Sequence, residues 1–383
     1  MYPCIEANEL IELRKQIEKA IKRVSAYFEY LKKTLPELEP PAFELVGNIQ
    51  IQDYNNLGNE KVFQKVHSKK GAEYDYHLAI TLVHDMDQKK FDKIKRFFFE
   101  LGILHKATKI ENLRNTEDLR GLRRIVESVI MQSLYAFALY FYSLDKIPYD
   151  FIIGIDVTKD KDKSGRYYGI SGAAVVQTGD GQILKVIPRA LPQSSAEAVD
   201  MSYIFEIIDR EVGEVIRTKG EAKILLLRDG RMPWAELAQL KKLSAEHNYD
   251  ITVIEIIKRQ KLRFFYQNYV DGIIKSPGQN YYFKIGETYY LIPHYLKTFI
   301  KVPIKLERKY HVTHGKVFQE KISEDDVLVL TKLTKLNYSQ PRNPDKMKLP
   351  TPVHLSHRLI NYERRRLRFN RPEFLNEGAL YFL

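Results

Sequence analysis

The sequence predicts an α/β protein of two parts, a small α/β domain followed by a larger one built on a mixed central sheet. Three observations carry that reading. The chain has 383 residues, more than the roughly 100 to 200 of one ordinary domain. From about residue 43 onward, short β patterns alternate with helical ones. After Pro148 the pattern shifts to dense β runs, with Gly-Asp-Gly at 179 to 181 as a hairpin signal.

The elements follow in order. Residues 9 to 34 place Leu10, Ile11, Leu13, Ile17, Ile21, Val24, Tyr27, Phe28 and Leu31 at helical spacing among charges, an amphipathic helix that the prolines from Pro36 to Pro41 end. Residues 1 to 40 therefore form a linker-helix region. Strands are expected at 43 to 52, 76 to 83 and 103 to 110, with helices at about 88 to 101 and 117 to 143, which makes 41 to 149 a small α/β domain. From 150 to 383 the order begins with FIIGIDVT, YYGISGAAVVQ and QILKVIPRAL, three antiparallel strands. A helix at about 196 to 218, the strand AKILLLRD, a helix at about 233 to 246 and the strand ITVIEIIKR follow, the β-β-β-α-β-α-β order of the RNase H fold.

Composition narrows the partners. Lysine and arginine exceed aspartate and glutamate by twelve, with basic patches at Lys258 to Lys261 and Arg364 to Arg368, and such patches attract polyanions. One cysteine, Cys4, excludes a disulfide framework or a cysteine zinc cluster and fits a reducing, cytoplasmic setting. No apolar run approaches the roughly 18 residues needed to span a bilayer, and no signal-peptide pattern follows Met1.

Asp156 ends the apolar strand IIGID and Asp229 ends ILLLRD. Neighbouring strands would bring the two carboxylates together, where their repulsion calls for a cation, and Mg²⁺ or Mn²⁺ suits carboxylate oxygens. Two such ions can activate water and stabilise the leaving oxygen of a phosphodiester.

The strings IGIDVT, LLLRDGR, EIIKRQKLRFF, LTKLNYS, LPTPVHLSHRL and a closing ALYFL, in that order over residues 150 to 383, resemble the PIWI domain of the Argonaute family. The resemblance implies a guide-directed endonuclease that binds a small RNA or DNA guide and cuts the paired target strand, DNA or RNA. The alternative is a guide-binding module that does not cut and acts through partners. It further implies a catalytic set of two aspartates, a loop glutamate and a fourth ligand. Asp156 and Asp229 match the first two, and His357, three residues after His354 and the nearer match, the fourth. For the glutamate, Glu197 in the polar segment QSSAEA fits a loop better than Glu206, Glu211 or Glu214, which fall in a helical pattern. Asp156, Asp229 and His357 would hold metal. Lys258, Arg259, Lys261 and Arg263 would hold guide phosphates, with the terminal Leu383 beside them, and Lys332 and Lys335 around a strand LTKLN invite the same reading.

The first domain resembles the family's MID domain through YDYHLAITL and FDKIKRFFFELGILHKATKIENL. That resemblance implies a pocket for the guide 5′ end, here with Phe91, Lys95 and Lys106, joined by His105, Thr108 and Asn112. No lysine matches in the helix QSLYAFALYFYSL, where Ala136 stands instead. The pocket is thus more aromatic and less cationic than usual, similar to a branch that accepts 5′-hydroxyl guides. The family's N-terminal and PAZ domains have no counterpart in these residues, as in a short form, a split protein whose other half is a separate chain, or a fragment.

Overall fold

The computed structural model describes residues 7–34, 77–83, 88–109, 119–137, 147–161, 167–188, 198–258, 262–267, 280–293, 302–336 and 347–364, with a few residues between and after them. The chain divides into two compact units, one centred on Met1–Phe137 and the other on Ala138–Arg368 with Asn376–Leu383.

In the first unit, helix α1 (Ala7–Thr34) buries a stripe of Gln16, Ala20, Val24 and Phe28 at every fourth residue. Ile11 and Tyr27, expected on that apolar face, are exposed. Strand β1 (Leu78–Val83), helix α2 (Gln88–Glu100) and strand β2 (Leu104–Lys109) form a β-α-β unit in which Leu78 pairs with Leu104 in parallel. Helix α2 buries Ile94, Phe97 and Phe98 in a core with Val66, Leu101 and Ile103. Gly102, at φ 69, ends the helix in the left-handed region, which lets the Ile103 amide bond back to Phe98. Helix α3 (Leu119–Ala136) packs on α1, with Arg23 paired to the buried Glu127. It ends seven residues before the expected boundary, and the Phe137 amide closes its last turn on Ser133 and Leu134. Of the strand expected at 43 to 52, Glu44 and Leu45 are described and lie in no strand, and the other residues lie outside the described ones.

In the second unit, β3 (Phe151–Lys161), β4 (Tyr167–Thr178) and β5 (Ile183–Ile187) form an antiparallel meander. Helices α4 (Met201–Ile207) and α5 (Asp209–Lys219) lead to β6 (Ala222–Asp229), α6 (Trp234–Glu246) and β7 (Tyr249–Ile257). Two-residue strands β8 (Tyr266–Gln267) and β9 (Ile274–Lys275) pair apart from the main sheet. Strands β10 (Tyr281–Ile285), β11 (Thr288–Ile292), β12 (Ile304–Thr313) and β13 (Lys316–Glu320) precede helices α7 (Glu324–Leu333) and α8 (Thr351–Arg364).

The main sheet runs β10-β11-β12-β7-β6-β3-β4-β5, with β13 on β12, nine strands among the described residues. Strands β3, β6 and β7 are mutually parallel and the outer pairs antiparallel, so the sheet is mixed as expected. Parallel central strands are covered on both faces, which is why β6 reads as the unbroken apolar run ILLL. One face carries Ile153, Ile155, Ile224, Leu226 and Val253 against residues of α4 to α6. The other carries Ile152, Leu225, Leu227, Ile254 and Ile256 against residues of α7 and α8.

Two expectations change. The single helix at 196 to 218 is two, broken at Ile208, and the first starts only at Met201 behind an Asp200 cap on the Tyr203 amide. Leu333 to Leu336 of the segment LTKLN are the end of α7 and the turn after it rather than a strand, because Ser323 and Asp326 form a reciprocal capping box that nucleates the helix ending at Leu333; Asn337 lies outside the described residues. No described helix is long and apolar enough to cross a membrane.

Candidate active site

Strand register brings the two aspartates together. Ile155 pairs with Arg228 across β3 and β6, so the next residue of each strand, Asp156 and Asp229, lies at the same end of adjacent parallel strands. Side chains alternate along a strand, so Asp156 shares the face of Ile152, and Asp229 that of Leu225 and Leu227. That is the α8 face. Helix α8 lies close on β3 because Gly154 leaves room: a Cβ there would stand 2.2 to 2.6 Å from backbone atoms of Pro352 and Val353. The Ser356 hydroxyl donates to the Gly154 carbonyl at 2.7 Å and holds the helix in register. The next residue, His357, then reaches the site.

His357 Nδ1 is 2.6 Å from Asp156 Oδ2. The Asn361 amide donates to His357 Nε2 at 3.1 Å, which leaves the ring proton on Nδ1, pointed at Asp156. Lys258, the first residue after β7, sends its ammonium between the carboxylates, 3.3 Å from Asp156 Oδ2, ion-paired with Asp229 Oδ2 and 3.3 Å from His357 Nδ1.

Burial pushes both carboxylates upward, and their neighbours separate them. For Asp156, hydrogen bonds from His357 and Asp229 and the Lys258 charge outweigh burial and hold it well below the usual range. Asp229 is pushed up to about 7, by burial first and then by the neighbouring Asp156. Two carboxylates this close cannot both ionise freely, so the pair lacks positive charge even with Lys258 present.

Asp156, Asp229, His357 and Lys258 thus form one cluster. His354, the rival to His357, is half-buried with its Nε2 inside and without a hydrogen-bond partner among the described residues, and desolvation followed by the Arg358, His357 and Lys258 charges lowers it to about 3. Glu197, Arg259, Lys261, Asn112 and Leu383 lie outside the described residues. Glu206 is exposed on α4. Arg263 is exposed and donates to the Leu262 carbonyl. One basic residue was missed: Lys348, lowered by burial and then by the Lys258 and Arg263 charges, joins those two in a positive rim beside Asp229. Only its position shortly before LPTPVHLSHRL hinted at it.

In the first unit Phe91, Lys95 and His105 come together, with the Phe91 and His105 ring centroids 5.5 Å apart, and Lys106 turns away. Helical spacing puts Phe91, Lys95 and Phe98 on one face of α2. There His105 stacks on Phe98 with centroids 5.2 Å apart, and the Lys95 ammonium lies 5.8 and 5.3 Å from the Phe91 and Phe99 ring centroids. His105 Nε2 bonds Thr81 Oγ1 at 2.8 Å, and burial, then the Lys95 and Lys106 charges, lowers His105 to about 3. Lys106 is also buried but, one residue along β2, faces the other side. Thr108 pairs through its backbone opposite Leu82.

The Piwi domain model matches residues 78–368. The chain belongs to the Piwi-domain family. The Argonaute of Pyrococcus furiosus is 31% identical over 98% of the chain, which spans 48% of that protein. Among solved structures, the Argonaute of Methanocaldococcus jannaschii aligns with a TM-score of 0.67 at 22% identity, over 97% of this chain and 50% of that one. Clostridium butyricum Argonaute bound to a guide DNA and a target DNA gives 0.66 at 14%, over 97% and 48%. This Piwi-domain chain therefore spans about half the length of its Argonaute relatives, as a MID and PIWI portion would.

Proposed function

We propose that this chain is the guide-binding and cutting portion of a guide-directed endonuclease. The observation that carries the reading is the meeting of Asp156 and Asp229 at the ends of two adjacent parallel strands, with His357 on Asp156, inside a Piwi-domain sheet. Carboxylate oxygens and an imidazole are the donors Mg²⁺ or Mn²⁺ would take, and the elevated Asp229 marks a place short of positive charge. The described residues alone give no complete three-ligand arrangement. Asp156, Asp229 and His357 would hold the ion, with Glu197 from the segment before α4 completing the set. The bound cation supplies activation of water and stabilisation of the leaving oxygen.

The chain's own groups do the positioning. In the cation-free protein Asn361 fixes the His357 ring with its Nδ1 proton on Asp156, which keeps Asp156 ionised; to ligate the ion, His357 would have to exchange one of these two hydrogen bonds for the metal. Lys348 and Arg263 line the rim where strand phosphates would approach, while base pairing to the guide supplies specificity. The Clostridium butyricum relative, bound to guide and target DNA, supports a nucleic-acid guide here. Where the protein is a split one, a separate chain would carry the N-terminal and PAZ domains of its relatives. Localisation in the cytoplasm and a role in defence belong to the same reading.

The test is cleavage of a labelled target by guide-loaded protein in Mn²⁺. Asp156→Ala or Asp229→Ala should lower the rate by roughly 1000-fold or more while guide binding survives, because binding is mostly phosphate contact elsewhere. Cleavage at normal rates by either variant would sink the assignment; guide binding without cleavage by the parent protein would favour the non-cutting module.

A further inference from the structure

Lys258 stands where its sequence neighbours gave no reason to put it. A basic residue after a β run suggests a solvated or phosphate-facing side chain, yet this ammonium turns back into the sheet end. It contacts both carboxylates and the Nδ1 edge of His357, and only about a fifth of the side chain is exposed. An ammonium is a compact monocation with three donors, and Asp156 Oδ2 and Asp229 Oδ2 are its acceptors here. It therefore fills the space and supplies part of the charge that a divalent cation would need. The two cannot share the place, since contact between them is repulsive and each wants the same oxygens. The attachment suits a movable group: β7 ends at Ile257, so the backbone is anchored, while four methylenes allow the head to withdraw.

We propose that Lys258 is the resident counter-ion of the acidic pair in the cation-free protein, and that binding of a divalent cation requires its ammonium to leave. This deepens the reading of the acidic pair as a metal site and rests on it. Lys258 is then a positioning residue with two states. In one it holds Asp156 and Asp229 in place against their mutual repulsion; in the other it adds a cation to the rim. Its presence keeps the empty site folded at the expense of cation affinity.

The experiment uses the full chain with Mn²⁺ as probe, read by electron paramagnetic resonance for binding and by thermal melting in EDTA and in saturating Mn²⁺. Lys258→Met should bind Mn²⁺ about tenfold or more tighter than the parent, since no ammonium has to be displaced. It should melt lower in EDTA, and the gap should close in saturating Mn²⁺. Lys258→Arg, which keeps the charge, should follow the parent in both, and Lys258→Gln repeats the comparison with a polar tip. Unchanged Mn²⁺ affinity in Lys258→Met and Lys258→Gln, with binding still lost in Asp156→Asn, would overturn the displacement alone. Equal Mn²⁺ binding by Asp156→Asn and the parent would place the ion elsewhere and overturn the metal reading, and this inference with it.

Discussion

Arg228 and Asp229 are adjacent in the chain and point to opposite faces of one strand, where they meet opposite electrostatic solutions. Arg228, 2% exposed, is held by Glu236 on α6 with nitrogen to oxygen distances of 3.0 to 3.4 Å, and its Nη1 donates to the Asp229 carbonyl at 2.6 Å. Glu236 also accepts the Val199 amide at 2.8 Å, so its lone pairs and the guanidinium are matched and the charge is closed. Asp229 faces Asp156, and two carboxylates share one ammonium and one histidine. One face is satisfied and the other is left short of positive charge. A strand that maximised stability would satisfy both, so the unsatisfied face is where to look for chemistry.

The largest test of this contrast is stability. Glu236→Ala leaves Arg228 buried without its partner and should cost about 3 to 5 kcal/mol in urea unfolding. Asp229→Asn should instead raise the cation-free melting temperature by a few degrees, since it removes one of two repelling charges. Similar losses in both variants would erase the distinction.

The same Glu236 bond ties down Val199, two residues after Glu197 and just before α4. Glu197→Gln should slow target cleavage by about 100-fold, roughly 2.7 kcal/mol, against little change in Glu206→Gln. Equal losses, or a larger one at Glu206, would mean the glutamate is misassigned.

Acid sensitivity sharpens the comparison between buried charge and buried neutrality. His354 is held neutral, its folded value lowered to about 3 from the ordinary 6.5. Its contribution is therefore present above about pH 6.5 and lost as pH falls towards 3, because the unfolded chain takes up the proton first. Between pH 7 and pH 5 the parent should lose about 2 kcal/mol that His354→Gln does not. Parallel pH profiles of urea stability for the two proteins would refute it.

The smallest effect concerns the first unit. Lys95 and His105 share one side of β2, and Lys106 faces the other, so of the expected lysines only Lys95 would meet a 5′ phosphate beside His105. Matched guides differing only at the 5′ end should differ by less than about tenfold, and whatever preference remains should fall in Lys95→Ala and not in Lys106→Ala. Competition binding checks both.

Most of the second unit was legible because its signals are local. ILLL before an aspartate is a buried strand wherever it folds, and two such strands in a β-β-β-α-β-α-β order leave few topologies. Asp156 and Asp229 could be named before any coordinates for that reason. Element boundaries were not legible: the break at Ile208 interrupts a continuous helical pattern, and the Ser323 and Asp326 box turned an expected strand into a helix end. The sequence by itself determined which strands carry carboxylates and that α8 carries a histidine. Only the tertiary structure decided that Lys258 turns inward between those carboxylates, that His357 rather than His354 meets Asp156, and that His105 and Lys106 part company. Those outcomes depend on which way a side chain faces across strands and helices far apart in the chain, and periodicity along the chain gives a residue's face without saying what stands opposite it.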